Sequence, residues 1–541
     1  MSASSKKKLR REQAADSQTK KQQAAKKESS RMRLYTIIFF VVIALMIAVV
    51  AIAVLDNSGI VDRNVTAVKV GDLPVSAVEF NMYYQEAINS FYNQYGSYAN
   101  LVGLDLNTPL DQQTSSDGSN SWADYFISEA KDNILNIYSI YNAAVEAGYT
   151  LTDELTENVD AIIESLKSTA ASTGYDNVED YLVAMYGTGA NLKTYRKVME
   201  IRSISTAYYN DYLENLTYSD DVIQSKDAED PTANNFYSYN TYIMYTSDYL
   251  TGGTKDAEGN VTYSDEEKAA SIADAEKDAA ALVNGGYTTV EELDEAIAEL
   301  PVNADSEASS YAVDDTRISS IPSFMRDWIT DSSRQPGDIT YVERTGTGSD
   351  GEQTITGYNV ILFRGSSDNN YPLANVRHIL VAFEGGTKDS STGTVTYSDA
   401  EKNAAKEEAQ AILNEWLSGD ATEDSFGKLA SERSDDPGSK DNGGLYEDVY
   451  PGEMDTNFNE WCFDESRKPG DYGLVETTYG WHVMFYSGDS ETTYREYIIT
   501  EDMRTEDMNN WLASLEEKYP VTDVNLSRVN RGLIINPYST R

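Results

Sequence analysis

The chain has 541 residues, 40% of them apolar and 24% charged, enough to build several cored domains and too apolar for a disordered chain. Its formal net charge is −46, which argues against nucleic acid as a partner because phosphate contacts need clustered Lys and Arg. With one cysteine, Cys462, and two histidines, His378 and His482, the chain has neither an intramolecular disulfide nor a Cys/His cluster for a structural metal.

The charge is unevenly placed. Residues 1–33 carry 11 Lys/Arg against 3 Asp/Glu, a basic tail of +8, and the remainder stands at −54. Leu34 to Leu55 (LYTIIFFVVIALMIAVVAIAVL) has no charge in 22 residues. At about 1.5 Å per residue it spans roughly 33 Å as a helix, against a hydrocarbon core of about 30 Å. Residues 34–55 are therefore expected to be a single transmembrane helix, with 1–33 as a cytoplasmic basic tail and the acidic body exported. A signal peptide competes, since AIA at 51–53 could precede a cleavage site, but signal cores are shorter, about 7–15 residues. No cysteine lies near the span, which excludes a lipid-modified N-terminal cysteine. Solubility outside the membrane accounts for the acidic surface.

After a short linker, VTAVKVGDLPVSAVEFNMYY from Val65 reads as a strand, a turn at Gly71-Asp72, and a helix opened by Ser76 with Glu79 three residues on, a capping box. Helical periodicity follows at about 122–147, 152–171 and 178–215, the last broken near Gly187 and Gly189. Residues 65–235 are thus expected to form a mostly helical domain. Phe80, Tyr83, Tyr84, Ala87 and Phe91 form a stripe that reads as core, with an adaptable apolar binding surface as the second reading.

An internal repeat comes next. GGTKDAEGNVTYSDEEKAA from Gly252 returns as GGTKDSSTGTVTYSDAEKNAA from Gly385, and QPGD at 335–338 returns as KPGD at 468–471. Each copy opens a helix with a capping box, Ser264 with Glu267 and Ser398 with Glu401. Each copy ends in an apolar strand, GYNVILFR or GWHVMFYS. Two tandem α/β domains are expected, at 236–367 and 371–490. Within 491–541 a last helix, roughly Glu501 to Lys518, carries Trp511 and Leu515 on one face. That face is expected to pack back onto an earlier domain, ahead of a polar tail.

Both histidines fall in the second copy. RHILV at 377–381, RSDDPGSKDNGG at 433–444, PGEM at 451–454, Phe458, KPGD and TTYGWHVMFY at 477–486 occur in the order and spacing of the parvulin-type peptidyl-prolyl isomerases, which Asn375 to about Ser487 resembles. Upstream, VGDLPVSAVEFN at 70–81 and YLVAMYG…YRKVME at 181–200 make the helical region similar to the chaperone domain of exported PrsA- and SurA-type foldases. The resemblance implies an α+β chain: a single transmembrane helix, a mostly helical chaperone domain and two tandem parvulin-like domains, the first degenerate.

Carried over by position, the resemblance makes His378 and His482 paired imidazoles on neighbouring strands, with Asp436 beside them and the Thr477 hydroxyl in their network. Met454 and Phe458 line the proline pocket, Tyr446 replaces the usual aliphatic wall, and Tyr479 stands where many members have Phe or Ser. In the first copy Tyr242 is aligned near the position of His378 and Asn359 with His482, while the 433–444 loop has no counterpart.

The implied function is that of a membrane-anchored foldase isomerising X-Pro bonds in newly secreted, incompletely folded polypeptides. A non-catalytic holdase using its parvulin-like domains as binding scaffolds, or a cell-surface binding module, is the alternative. No cofactor is needed, because the barrier to rotation, about 18–20 kcal/mol, falls when an apolar slot grips the ring and polar groups favour the twisted amide. The residues alone also admit a metal held by the two histidines and Asp436, though no i, i+4 His pair supports it. DDPGSKDNGG lacks the alternating acids and closing Glu of a calcium loop. Before the helix at Asp399, the loop after the first strand offers one cation, Lys388, too few for a phosphate-directed site.

Overall fold

A computed structural model describes residues 38–50, 53–54 and 58–533, apart from 116–117, 119, 256–259, 348–351 and 390–391. The basic head lies outside the described residues, as does part of the 34–55 span. Residues 38–50 of that span are helical, and no helix among the described residues is long and apolar enough to cross a membrane. The chain divides into two compact units, one holding residues up to Thr217 and from Thr505 onward, the other Tyr218–Arg504.

The first unit begins with the hairpin Thr66–Val70 and Leu73–Ser76, turned at Gly71 with φ 58°, a conformation glycine adopts without steric cost. The Ser76–Glu79 capping box is present in both halves at the start of helix Ala77–Tyr95. The spare carboxylate oxygen of Glu79 meets Lys197 at 2.6 Å. Helices Trp122–Glu146, Asp153–Ser172, Val178–Tyr186 and Leu192–Glu214 follow. Phe80, Tyr83, Tyr84 and Ala87 are buried with Trp122, Phe126 and Tyr138 in one core, so the aromatic stripe is core packing. Leu515 and Tyr519 are buried in the same core, and Trp511 stacks on Tyr212 with ring centroids 4.1 Å apart. The strand Val521–Asp523, inside what reads as a polar tail, pairs antiparallel with Thr66–Val70 and completes a three-stranded sheet. The last helix is longer than its periodicity suggests, Tyr494–Lys518. Its start is a further capping box, T-x-x-E, in which the Thr493 N–H donates to Glu496 and the Glu496 N–H donates back to the Thr493 hydroxyl.

The second unit holds two four-stranded antiparallel sheets of the same order. The first runs Tyr311–Arg317, Phe236–Tyr245, Gln353–Ser367, Ile339–Thr347, and the second Leu445–Val449, Pro372–Ala382, Gly480–Thr493, Tyr472–Glu476. One face of each sheet packs against a long capped helix and a shorter one, Asp265–Asn284 with Val290–Ala298, or Asp399–Ser418 with Glu423–Arg433. The other face packs against one short helix, Ser323–Ile329 or Thr456–Cys462. Arg495 fastens the segment that precedes the first sheet to the connection between the sheets. It meets both carboxylate oxygens of Asp227 at 2.6 and 2.9 Å, Asn235 at 3.0 Å, and the carbonyls of Pro231 and Asp368.

Sheet register corrects one expectation. His378 pairs with Met484 and Leu380 with His482 in the second sheet, while Thr241 pairs with Ile361 and Ile243 with Asn359 in the first. Thr241, not Tyr242, therefore occupies the place of His378. Tyr242 points to the opposite face, among the residues packed on Asp265–Asn284, with its hydroxyl 2.9 Å from Asn303. A shift of one residue in a strand moves a side chain to the other face of the sheet.

Candidate active site

The imidazoles lie side by side because adjacent strands place them on one face. His378 sits at the middle of Pro372–Ala382 and His482 near the start of Gly480–Thr493. Their Nδ1 atoms are 2.9 Å apart, and both rings are buried, at 3% and 5% exposure. Phe458, from Thr456–Cys462, stands edge-on to both, with centroids at 5.5 and 5.4 Å. The ring of Tyr446 stacks over His378 at 5.3 Å. Met454 packs half-buried against the cluster of Phe458, Val449, Cys462 and Met484.

The loop 433–444 reaches the histidines by zipping along the edge of Pro372–Ala382. Leu380 N–H donates to the Ser434 hydroxyl, Asp435 N–H to the Leu380 carbonyl, and Ala382 N–H to the Asp435 carboxylate. At its far end His378 N–H donates to the Gly444 carbonyl at 2.8 Å. Gly444 has φ +72°, and a Cβ there would stand 2.2 Å from the His378 carbonyl oxygen, so the return of the loop requires glycine. The loop so held puts Asp436 Oδ2 at 3.0 Å from His378 Nε2.

A continuous hydrogen-bonded line results. The Tyr479 N–H donates to Thr477 Oγ1 at 3.1 Å, and that hydroxyl lies 2.8 Å from His482 Nε2. The line continues through the imidazole pair to Asp436. Its direction is set at the carboxylate end, where an ionised Asp436 is an acceptor only. His378 then carries its proton on Nε2, accepts at Nδ1 from His482 Nδ1–H, and leaves His482 Nε2 to accept from Thr477. The hydrogen bond from His378, helped by Ser439, holds the Asp436 carboxyl well below the usual carboxylate range against the opposing effect of burial. Burial, reinforced by the neighbouring His378, lowers His482 to about 3. Burial and then the Asp436 charge push Tyr446 up to about 12.

The structure thus brings together His378, His482, Asp436, Thr477, Tyr446, Met454 and Phe458. Tyr479 is not part of the cluster: its side chain is 69% exposed and only its backbone takes part. Sequence reasoning passed over Ser439, whose N–H and hydroxyl both bond Asp436 Oδ2, at 3.0 and 2.5 Å, and whose hydroxyl lies 2.9 Å from His378 Nε2. The signal was in the loop itself, as a serine three residues after an aspartate commonly closes a local side-chain turn. Among the described residues no group of three or more His, Cys, Asp or Glu is arranged to hold a metal ion. Cys462 is buried, and burial raises its thiol to about 12, leaving it no thiolate for nucleophilic work.

Residues 360–486 match the PPIC-type PPIASE domain family. Over 113 residues the chain is 32% identical to foldase protein PrsA 1 of Listeria innocua and, equally, of Listeria monocytogenes. The match covers 21% of this chain and 30% of the relative, so the chain spans under a third of the length of the curated relatives it matches. Among solved structures, PrsA from Bacillus subtilis aligns at 13% identity over 86% of this chain and 95% of that one, with TM-score 0.22. PrsA from Bacillus anthracis aligns at 22% identity over 28% and 61%, with TM-score 0.18. The loop that carries Asp436 and most of the second sheet thus lie within the residues that match the PPIC-type PPIASE domain family, and the chain is similar to foldase protein PrsA 1 over 113 residues.

Proposed function

We propose that the protein is an exported, membrane-anchored foldase that catalyses cis–trans isomerisation of X-Pro bonds in secreted polypeptides. The observation that carries this reading is the unbroken line from Thr477 through both imidazoles to Asp436, bordered by Phe458, Met454 and the Tyr446 ring. The apolar side chains grip the pyrrolidine ring, and the fixed polar line stabilises the amide as it twists and loses resonance. Lowering the barrier by about 4 kcal/mol gives roughly a thousandfold on a bond that otherwise turns over in tens to hundreds of seconds. His378, His482, Asp436 and Thr477 form the polar side of the site, and Met454, Phe458 and Tyr446 the proline side. Tyr479 lies at the rim, where it meets the residues flanking proline. The domains are 65–235 as a helical chaperone domain, 236–367 as a degenerate parvulin-like domain and 371–490 as the isomerase domain. A protease-coupled assay on a short Ala-Pro peptide tests the reading: the full chain should be active, and His378→Ala should abolish that activity.

One observation favours a holdase contribution from the first unit. A groove of about 970 Å³ between helices Asp153–Ser172 and Leu192–Glu214 has the apolar Leu155, Ile162 and Met199 set among polar and charged side chains that include Glu154, Asn158 and Asp211. Suppression of client aggregation by a chain lacking isomerase activity measures that contribution.

The uncharged run Leu34 to Leu55 behind a +8 head supports a single-pass anchor with the N-terminus in the cytoplasm. Protease added to intact protoplasts should remove the body, and a fully protected body would refute this topology.

A further inference from the structure

Tyr446 stands where the parvulin pattern has an aliphatic residue, and its hydroxyl is not offered to a ligand: it donates to Asp436 Oδ2 at 3.0 Å. The same oxygen receives the Ser439 N–H at 3.0 Å, the Ser439 hydroxyl at 2.5 Å and His378 Nε2 at 3.0 Å. A carboxylate oxygen has two lone pairs, so four contacts leave Oδ2 none for a substrate. Asp436 Oδ1 is tied to the Gly438 N–H at 3.3 Å, and a Cβ at Gly438 would stand 2.7 Å from the Tyr446 hydroxyl, so the loop closes tightly over this knot. We infer that Tyr446 and Ser439 are positioning residues which, by occupying Asp436 Oδ2, keep that oxygen off the substrate and favour one proton order in the imidazole pair.

The consequence follows from the alternative order. If the protons ran the other way, the lone pair of His378 Nε2 would face Asp436 Oδ2, a repulsive contact unless Asp436 took up a proton or the Ser439 hydroxyl, 2.9 Å from Nε2, left Oδ2 to donate to it. Donors that meet only Oδ2, the Tyr446 hydroxyl and the Ser439 N–H, oppose that protonation and favour His378 with its proton on Nε2, whereas the Ser439 hydroxyl can serve either order. The hydroxyl of Tyr446 acts in this way, while its ring supplies the wall that an aliphatic residue gives elsewhere. The inference rests on the isomerase reading for its kinetic half and on geometry alone for its spectroscopic half.

Because the chain has two histidines, the full-length protein labelled with nitrogen-15 histidine gives two imidazole spin systems, and long-range proton–nitrogen correlations report which ring nitrogen carries each proton. With the rings assigned by the spin system that His482→Gln removes, the wild type should show His378 protonated on Nε2 and His482 on Nδ1. Y446F should add a second set of ring signals from the reversed order and lower kcat/KM on an Ala-Pro peptide by about tenfold, in kcat more than in KM, as loss of one hydrogen bond to a charged group allows. Y446L, which removes the same hydroxyl, should shift the tautomers likewise, and it keeps the test open if Y446F fails to fold. Y446L should add a rise in KM, from loss of the ring. Wild-type tautomers retained in Y446F and Y446L, or a loss in Y446F lying wholly in KM, would overturn the inference. A wild type with the stated tautomers and no isomerase activity would instead refute the foldase reading and leave the proton order standing.

Discussion

The two sheets of the second unit share strand order, helix placement and even their locks. In each, a Gly-Gly turn donates a backbone N–H to the capping glutamate, Gly253 to Glu267 and Gly386 to Glu401, both at 2.9 Å. In each, an arginine before the Pro-Gly turn stacks on a tryptophan of the short helix, Arg334 on Trp328 at 4.6 Å and Arg467 on Trp461 at 3.9 Å. They part on one face. Where the second sheet has His378 and His482, the first has Thr241 and Asn359, joined by a 3.1 Å hydrogen bond. In the short helices Met325 stands where the second copy has Phe458, and just before them Ile321, 1% exposed, stands where it has half-buried Met454. The scaffold is retained while its polar line is replaced by a closed apolar filling, with Asn359 Oδ1 left buried and unpartnered. Retention of fold is thus no guide to retention of chemistry.

The sharpest way to break this contrast is to disable one copy. His482→Ala in the full chain should lower kcat/KM on an X-Pro peptide by roughly a thousandfold, the whole enhancement of about 4 kcal/mol, because the first copy contributes none of it. Substantial residual activity would assign function to Thr241 and Asn359. Next come the paired core changes. Phe458→Ala and Met325→Ala should cost about 3–5 and 2–5 kcal/mol of stability, as read by urea unfolding, but only Phe458→Ala should reduce isomerisation. Equal kinetic effects would mean that both matter solely through packing.

A smaller difference lies in acid. An unfolded histidine takes up its proton near 6.5, whereas His482 is held to about 3. As pH falls below about 6.5 the unfolded state therefore binds a proton that the native state refuses, and stability declines by up to about 1.4 kcal/mol per pH unit. Asp436, depressed in the native state, adds a loss of the same sign at lower pH. Unfolding free energies at pH 7, 6 and 5 should show this slope, and His482→Gln should flatten it. The smallest expected effect is a null. Installing Thr241→His with Asn359→His should give no isomerase activity, since residues 299–310, in the place of the Asp436 and Ser439 loop, carry no Asp followed three residues on by Ser, and Ile321 and Met325 fill the pocket. Measurable gain of activity would show that the imidazoles alone suffice.

Much of this was legible in the sequence, for identifiable reasons. Capping boxes at Ser76, Ser264 and Ser398 are local, so residue type and a three-residue spacing suffice to find them. The histidine pair and its loop were legible through resemblance to a family, by the order of six landmarks. The register of Phe236–Tyr245 was not, because FYSYNTYIMY carries aromatic or apolar residues on both faces and its alternation does not say which side faces the short helix. Nor was the third strand of the first unit, Val521–Asp523, since three residues in a polar tail gain their pairing from a partner near the other end of the chain.

That strand has a consequence for how the protein comes into being. Val70 and Val521 are neighbours in the sheet, and Leu515 and Tyr519 lie in the same core as Phe80 and Trp122. The first unit therefore cannot be finished when its own helices emerge from the ribosome. At about 5–20 residues per second, the roughly 450 residues between the paired strands take about 20–90 s to synthesise, far longer than hairpins and helices need to form. For that interval the hairpin Thr66–Ser76 has an open edge and the core lacks its last helix, the kind of exposed apolar surface and unpaired strand that invites misassociation. The chain thus passes through a vulnerable stage of its own, which ends only when its C-terminal segment returns to close the unit with which it began.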